Sequence, residues 1–372
     1  PSVNGALVVE NGLIKSIHAG NELEAVTSSP GAEIIDATGK WIVPGLINMH
    51  SHLAMGHMRR RPRVIVGEST QNALLFNAIR NALGSLARGW TTIRDMGGPY
   101  SIPLEVRNLI ESGELPGPRV FAVGMPIAVT GGHADFMSIE ADGVDEVMKA
   151  ARLQLKNGAN IIKVNASHDP EPMPGVEQTR PEMTSEEISA AFKVARAHGK
   201  RTACHCMGTI ALSRVIDAGV DVISHGYYLN DELAERMAAS GIFLDPTLSA
   251  YGRQTMNPEN LRGEHWARLH EGLVKPLEDS FRAAVKAGVR IVTGTDTAGR
   301  YSEDVQMMRE LGLGAMESIR ACTQNAADAL GVGDKLGSIE RGKIADIVVL
   351  GGDPLENASN LEQVENVIKD GV

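Results

Sequence analysis

The feature that most constrains the fold of this chain is a regular alternation between short apolar runs and longer amphipathic stretches. Each run is rich in β-branched residues and ends in polar residues or glycine, and a stretch with helical periodicity follows it. Strands joined by helical crossovers of a dozen or more residues pair in parallel. The runs are Trp41–His52, Thr91–Gly97, Arg119–Met125, Asn160–Ser167, Arg201–Met207, Val222–Gly226, Ile242–Leu248 and Arg290–Asp296. Eight such units over roughly 250 residues predict a closed (β/α)8 TIM barrel, an α/β fold, rather than an open doubly wound sheet.

The two ends of the chain show a different pattern. Residues 1–40 contain short predicted strands, in GALVVENGLIKSIHAG and then in EIIDATGK (residues 33–40), with Asn-Gly turns that are typical of hairpins. Residues 334–372 return to the same style. Neither end is long enough to bury a core alone. We therefore expect both ends to pack together as a small composite β-sandwich beside a barrel formed by residues 41–333. This division suits a chain of 372 residues.

Charge and composition exclude several classes of protein. The chain has 36 Lys and Arg against 46 Asp and Glu, and a net charge of −10 does not suit a nucleic-acid binder, which needs a basic face. It contains no run of about 18 apolar residues, so no membrane-spanning segment is predicted. The three cysteines, Cys204, Cys206 and Cys322, are an odd set that suggests no disulfide framework and favours a reducing compartment. We expect a cytoplasmic protein.

Side chains that can bind metals lie at the carboxyl ends of the runs, where barrel enzymes place their active sites. His50 and His52 are two residues apart, so both imidazoles point the same way from a strand. His205 ends the fifth run, His225 the sixth and Asp296 the eighth. Taken singly, these residues also fit histidines in a surface turn, hydrogen-bonded core histidines and a helix-capping aspartate. Their agreement in position predicts a metal centre whose ligands suit zinc, with manganese, cobalt or iron also accepted.

Lys163 lies inside the apolar run Ile161–Val164, where a charged ammonium group is costly to bury. Burial lowers the pKa of a lysine, and the neutral amine can add carbon dioxide to give a carbamate. Such a group is a carboxylate on a long arm that can bridge two metals. Alternatively, Lys163 lies at the rim of its strand and extends its amine into water. The position in the sequence leaves both interpretations open.

Together these residues resemble the pattern of the amidohydrolase superfamily, which has His-X-His on strand one, Lys on strand four, His on strands five and six, and Asp on strand eight. The resemblance covers nearly the whole chain, including the closing KLGSIERGKIADIVVLGGDP. The segments Trp41–His52, GWTTIRDMGG, TGGHAD and GANIIKVNAS are more closely similar to one branch of that superfamily. This branch holds metal-dependent Xaa-Pro dipeptidases (prolidase-like), related carboxypeptidases and ochratoxin-type amidases. Imidazolonepropionase is a more distant relative.

The resemblance implies a role for each matching residue. His50, His52 and Asp296 would hold one metal ion, His205 and His225 a second, and carbamylated Lys163 would bridge the two. A hydroxide between the metals would attack the substrate, with its pKa brought near neutrality by the ions. Asp296 would accept its proton and pass it to the leaving amine.

Residues that contact the substrate are expected in the loops at the same end of the barrel. The resemblance implies that His133, in Thr130–His133, contacts substrate, although a loop histidine without a role is the simpler alternative. Related dipeptidases carry a tyrosine two residues after the strand-five histidine, and this chain has Met207 there. Tyr227 and Tyr228 are expected to substitute for it.

Arginines near the predicted site indicate a substrate with a free carboxylate, because the guanidinium fork pairs well with that group. Arg300 follows Asp296 closely, and the range Arg59–Arg63 contains four arginines after the first run. That range also fits a solvated turn or a contact with a neighbouring subunit, and we expect a homo-oligomer.

The sequence therefore predicts hydrolysis of an amide bond in a dipeptide or N-acyl amino acid, with a small-molecule substrate and two divalent ions as cofactors. A cyclic-amide hydrolase or a deaminase is the first alternative. Deamination is disfavoured by Lys163 and by the sequence His205–Gly208, which lacks the glutamate of deaminases, and imidazolonepropionase chemistry is disfavoured by Lys163. A catalytically inactive scaffold protein is the second alternative, and it is disfavoured because every expected ligand is present.

Overall fold

The computed structural model describes residues 4–20, 33–55, 62–169, 179–251, 272, 274–297 and 299–372. The strands are β1 (Gly5–Glu10), β2 (Leu13–Ala19), β3 (Trp41–Pro44), β4 (Leu46–Ser51), β5 (Trp90–Asp95), β6 (Arg119–Ala122), β7 (Ile127–Ala128), β8 (Ile139–Glu140), β9 (Ile161–Asn165), β10 (Arg201–Cys206), β11 (Val222–His225), β12 (Phe243–Asp245), β13 (Arg290–Ile291), β14 (Ile347–Leu350) and β15 (Val364–Ile368). The helices are α1 (Pro62–Glu68), α2 (Gln71–Leu86), α3 (Ile102–Glu111), α4 (Gly143–Lys156), α5 (Ser185–Ala197), α6 (Thr209–Asp217), α7 (Asp231–Ala239), α8 (Leu248–Tyr251), α9 (Lys275–Ala287), α10 (Tyr301–Glu310), α11 (Ala315–Ala321) and α12 (Gln324–Leu330). None of these described helices is both long and apolar enough to cross a membrane.

A closed barrel of parallel strands forms the centre of the molecule. β4, β5 and β6 pair in order, and so do β9 through β13, in parallel register throughout. Backbone hydrogen bonds join the two groups at both edges. The Met49 N–H donates to the Thr293 carbonyl at 2.8 Å, and the Asn160 N–H donates to the Ala122 carbonyl at 2.8 Å. The predicted fold class is confirmed.

Helices cover the barrel by burying one face against the strands, and α5 illustrates the local cause. Thr184 caps its first turn: the Glu187 N–H donates to the Thr184 hydroxyl at 3.2 Å, and the Thr184 N–H donates to the Glu187 carboxylate at 2.7 Å. This reciprocal pair satisfies two backbone groups that the helix itself leaves free. Ile188 and Phe192, one turn apart, then pack into the core with Val164 of β9.

The first apolar run, Trp41–His52, is divided between two sheets. β3 pairs antiparallel with β14, whereas β4 begins the barrel. The two strands meet at Gly45, where a Cβ atom would lie 2.1 Å from the Thr91 hydroxyl, so only glycine fits at this crossing.

The two ends of the chain contact each other beside the barrel. β1 and β2 form a hairpin around Asn11 and Gly12, both with positive φ, and Ile14 is buried against Ile347 of β14. The expectation of a strand in residues 33–40 is wrong, because the structure shows a turn there instead. In that turn the Thr38 N–H donates to the Asp36 carboxylate at 2.9 Å. The division of the chain at residues 41 and 333 stays a prediction.

Candidate metal centre

The structure brings the six predicted metal ligands together at the carboxyl ends of five barrel strands. The ring centroid of His50 lies 5.3 Å from that of His52 and 5.1 Å from that of His225. The His205 and His225 centroids are 4.7 Å apart, and Asp296 Oδ1 lies 3.7 Å from His52 Nε2. Residues that are far apart in the sequence therefore share one site, although their roles as ligands stay predictions.

The four histidines of this site are buried, and burial lowers the pKa of each imidazole well below its ordinary value. They are consequently neutral at pH 7, the form in which imidazole binds metals. The Nε2 atoms of His50 and His205 are buried without a hydrogen-bond partner among the described residues. An orphaned neutral nitrogen in the interior is costly unless something occupies it, so the donor set fits divalent metal ions.

Two groups of ligand atoms are close enough to hold an ion each. The atoms of His50, His225 and Asp296 all lie within 4.8 Å of one another, and so do those of His133, Asp169 and His205. The family resemblance implies that His225 holds the second ion beside His205. The distances from the His225 ring to the His50 and His205 rings place it between the two groups.

Lys163, on β9, is buried, and burial lowers the pKa of its ammonium group to about 8. The nearby Asp296 carboxylate opposes this shift. A pKa of about 8 leaves a measurable fraction of neutral amine near pH 7, which is the form that adds carbon dioxide. The buried position excludes the alternative of an amine that extends into water from the rim.

Asp296 lies just after β13 in the left-handed region of backbone space, with φ of 51°. Its N–H donates to the His50 carbonyl at 2.8 Å, which fixes this strained backbone against β4. Burial raises the pKa of the Asp296 carboxyl to about 6, and Lys163 opposes the increase. An acid with that pKa is mostly ionised at pH 7 and well matched to accept a proton.

Three of the histidines are held from behind by groups that fix the orientation of the ring. His50 Nδ1 lies 3.0 Å from the Asp245 carboxylate, and His52 Nδ1 lies 2.6 Å from the Gly97 carbonyl. The third contact joins His225 Nδ1 to the Thr247 hydroxyl at 2.7 Å. In each case the Nε2 atom is left to face the site.

Sequence reasoning did not identify Asp245 or its partner Arg94, although both gave a signal. Arg94 interrupts the apolar run of β5 just as Lys163 interrupts that of β9, and Asp245 ends β12 as Asp296 follows β13. Burial raises the pKa of Asp245 to about 6, while the Arg94 guanidinium opposes the rise. The cysteines flanking His205, by contrast, are buried in the apolar core.

His133 and Asp169 border the centre on the side of His205. The His133 ring stacks on the His205 ring, with centroids 3.7 Å apart and planes at 8°. Asp169, which the sequence did not single out, has Oδ1 3.5 Å from His205 Nε2 and Oδ2 3.6 Å from His133 Nδ1. Its side chain is 46% exposed, so this side of the centre is more open to solvent.

The other predicted substrate contacts differ in their surroundings. Tyr227 is fully buried, and its hydroxyl has no hydrogen-bond partner among the described residues. Tyr228 is half-buried, and its hydroxyl lies 3.5 Å from the Gly272 carbonyl. Arg300 is largely exposed and lies 3.7 Å from Glu303. Of the four arginines in Arg59–Arg63, those at 59–61 lie outside the described residues.

The family model described as the amidohydrolase family matches residues 41–372. The chain belongs to the amidohydrolase family. This confirms the resemblance drawn from the sequence motifs and agrees with the buried ligand set at the barrel mouth.

Ochratoxinase of Aspergillus niger is one of the relatives of this amidohydrolase. It is 30% identical over 321 residues, which are 77% of this chain and 65% of the relative, so the chain spans just under two thirds of that protein's length. Its crystal structure superposes with a TM-score of 0.87 at 26% identity, covering 99% of this chain and 90% of the other.

Two further relatives bear on the reaction. The crystal structure of a Xaa-Pro dipeptidase with methionine bound in its active site has a TM-score of 0.87 at 31% identity and covers 98% of this chain and 93% of the other. A 5-methylthioadenosine/S-adenosylhomocysteine deaminase of Bacillus cereus is 22% identical over 98% of this chain and 84% of its own.

Proposed function

We propose that this protein is a binuclear metal-dependent hydrolase that cleaves an amide bond in a dipeptide or an N-acyl amino acid. The observation that carries the proposal is the convergence of six side chains at five strand ends, four of them neutral, buried imidazoles. A single tetrahedral ion cannot use six ligands. The similarity to a structure named as a Xaa-Pro dipeptidase supports a peptide-like bond as the target.

The ligand assignment follows the resemblance to the amidohydrolase pattern. His50, His52 and Asp296 would hold one ion, His205 and His225 the other, and Lys163, as a carbamate, would bridge them. Zinc is the proposed metal because imidazole and carboxylate ligands suit it. When bound, the ions would polarise the scissile carbonyl and lower the pKa of water at the site.

Asp296 is the proposed general base. Its carboxylate has a pKa raised to about 6 by burial, so it is ionised at neutral pH and still basic enough to take a proton from the attacking water. The same carboxyl would then give that proton to the nitrogen of the leaving amine. The hydrogen bond from the Asp296 N–H to the His50 carbonyl holds the carboxylate at the strand end throughout.

The proposed substrate contacts are His133, Tyr227, Tyr228 and Arg300. Tyr227 is the best-supported hydrogen-bond donor of the four. Its buried hydroxyl has no hydrogen-bond partner among the described residues, and it would donate to a carbonyl or carboxylate oxygen of the substrate. Such a donor would take the place of the tyrosine that related dipeptidases have where this chain has Met207. His133, stacked on His205, is placed to contact the same substrate.

The test combines metal analysis with a substrate panel. The purified chain should contain about two divalent ions, and dipeptides and N-acyl amino acids varied at the C-terminal residue should be hydrolysed to an acid and an amine. A chain with full metal content that releases only ammonia would instead be a deaminase, and one that cleaves only cyclic amides would be a cyclic-amide hydrolase. A chain that binds no metal would be a scaffold protein.

Two coarser proposals concern the setting of the enzyme. We propose a homo-oligomer, to be tested by light scattering in solution. We also propose a reducing compartment such as the cytoplasm, which the three unpaired, buried cysteines support.

A further inference from the structure

Arg94 and Asp245 form an ion pair in the barrel interior, on two strands that supply none of the predicted ligands. Arg94 is on β5 and Asp245 on β12, and both side chains are buried, at 1% and 0% exposure. Arg94 Nη2 donates to Asp245 Oδ2 at 2.9 Å, and Arg94 Nε donates to the Met49 carbonyl. The pair therefore ties three strands, β4, β5 and β12, together.

The fold alone gives little reason to keep such a pair. Removing two charges from water costs free energy that their mutual attraction often fails to offset, and apolar residues of similar volume frequently stabilise a protein as well or better. A role for the pair is therefore expected in the other atoms that it contacts.

The carboxylate of this pair also holds a predicted metal ligand. Asp245 Oδ2 lies 3.0 Å from His50 Nδ1. An ionised carboxylate only accepts, so Nδ1 must carry the proton and Nε2 is left with its lone pair. That Nε2 is buried and lacks a hydrogen-bond partner among the described residues. His50 is also one of three residues, with His225 and Asp296, whose ligand atoms lie close enough together to hold an ion.

The segment that leads to Asp296 packs directly against this contact. A Cβ atom at Gly294 would lie 2.4 Å from His50 Cβ and 2.5 Å from Asp245 Oδ1. Glycine at this position therefore lets the segment after β13 pack against β4 and β12 at the contact between His50 and Asp245.

We propose that Asp245, itself held by Arg94, is a positioning residue that orients His50 toward the ion it shares with Asp296. The inference rests on the metal centre of the proposed function. It predicts that the pair determines the affinity of one of the two ions, since groups behind a ligand typically change metal affinity roughly 10- to 100-fold.

The test measures zinc affinity of the full chain by competition with a chromophoric chelator. Asp245→Asn should weaken one of the two binding events roughly 10- to 100-fold and leave the other unchanged. Asp304→Asn is the matched control, because Asp304 is also fully buried and accepts a hydrogen bond from the Ser249 N–H at 2.9 Å. It should keep both affinities.

A double variant, Arg94→Met with Asp245→Leu, separates positioning from stability. It removes both charges and leaves no unpaired ion, so its Tm should equal or exceed that of the native chain while the zinc affinity stays reduced. This variant decides the question if Asp245→Asn does not fold. A folded double variant that binds two zinc ions with native affinity would overturn the inference alone. A native chain that binds no zinc would overturn the proposed function together with it.

Discussion

The two sides of the metal centre differ in how their side chains are held. On the side of β4, His50 and His52 are buried, and each ring nitrogen facing away from the site is hydrogen-bonded to a fixed group. On the side of β10, His205 stacks on the half-buried His133, and Asp169 beside them is nearly half exposed. The segment after Asp169 leads into residues 170–178, outside the described part of the chain.

This difference suggests a division of roles between metal binding and substrate selectivity. Ligands that are already oriented lose little freedom when an ion binds, so we expect the β4 side to determine metal affinity. Side chains with solvent access and fewer fixed partners can adjust to a substrate, so the β10 side is the expected place of substrate choice. Substitutions on the two sides should accordingly change different quantities.

The largest expected effect comes from Lys163, which lies between the two sides. Lys163→Ala should lower turnover by several orders of magnitude, because the bridging carboxylate that we propose would be lost from both ions. Short carboxylic acids added to the assay should restore part of the activity. Lys193→Ala, at an exposed position on α5, is the control and should behave as the native chain. Full activity in Lys163→Ala, with two ions bound, would rule out the carbamate.

Asp296→Asn should come next, with kcat reduced by about 10²–10⁴. The amide can still coordinate weakly but cannot accept a proton, so the loss should appear in kcat while the fold is retained. Circular dichroism and metal content check the fold and the centre. Near-native turnover with both ions in place would mean that another residue is the base.

The β10 side of the centre should distinguish substrates that have a free carboxylate from those that lack one. An N-acyl amino acid should be cleaved with a higher kcat/KM than its methyl ester or its C-terminal amide. If a buried charged contact is lost, the difference should correspond to about 2–5 kcal/mol of transition-state binding free energy. In His133→Asn the gap should shrink if His133 holds the carboxylate. Equal kcat/KM for acid and ester in the native enzyme would contradict carboxylate recognition.

The smallest expected effect concerns Thr247, whose hydroxyl lies 2.7 Å from His225 Nδ1. Thr247→Val keeps the shape of the side chain and removes that contact, so zinc affinity should fall about 10-fold, the lower end of such effects. Thr293→Val removes a buried hydroxyl whose closest partners are sulfur atoms, and it should leave zinc affinity unchanged. Equal loss in both variants would show that the hydroxyl of Thr247 has no special role.

The sequence by itself determined the barrel and the residues at its mouth. Alternation along a strand and helical periodicity are local properties, so the eight runs could be read without knowing what they touch. For the same reason His50 and His52 could be placed on one face of a strand, and Lys163 could be recognised as a charged residue in an apolar run.

Tertiary structure alone decided which strand ends meet. Arg94 and Asp245 are 151 residues apart, and nothing local to either residue identifies the other as its partner. The division of Trp41–His52 at Gly45 likewise depends on β14, which is far along the chain. These contacts depend on how the strands tilt and stagger when the barrel closes, and that closure is a property of the whole sheet rather than of any one segment.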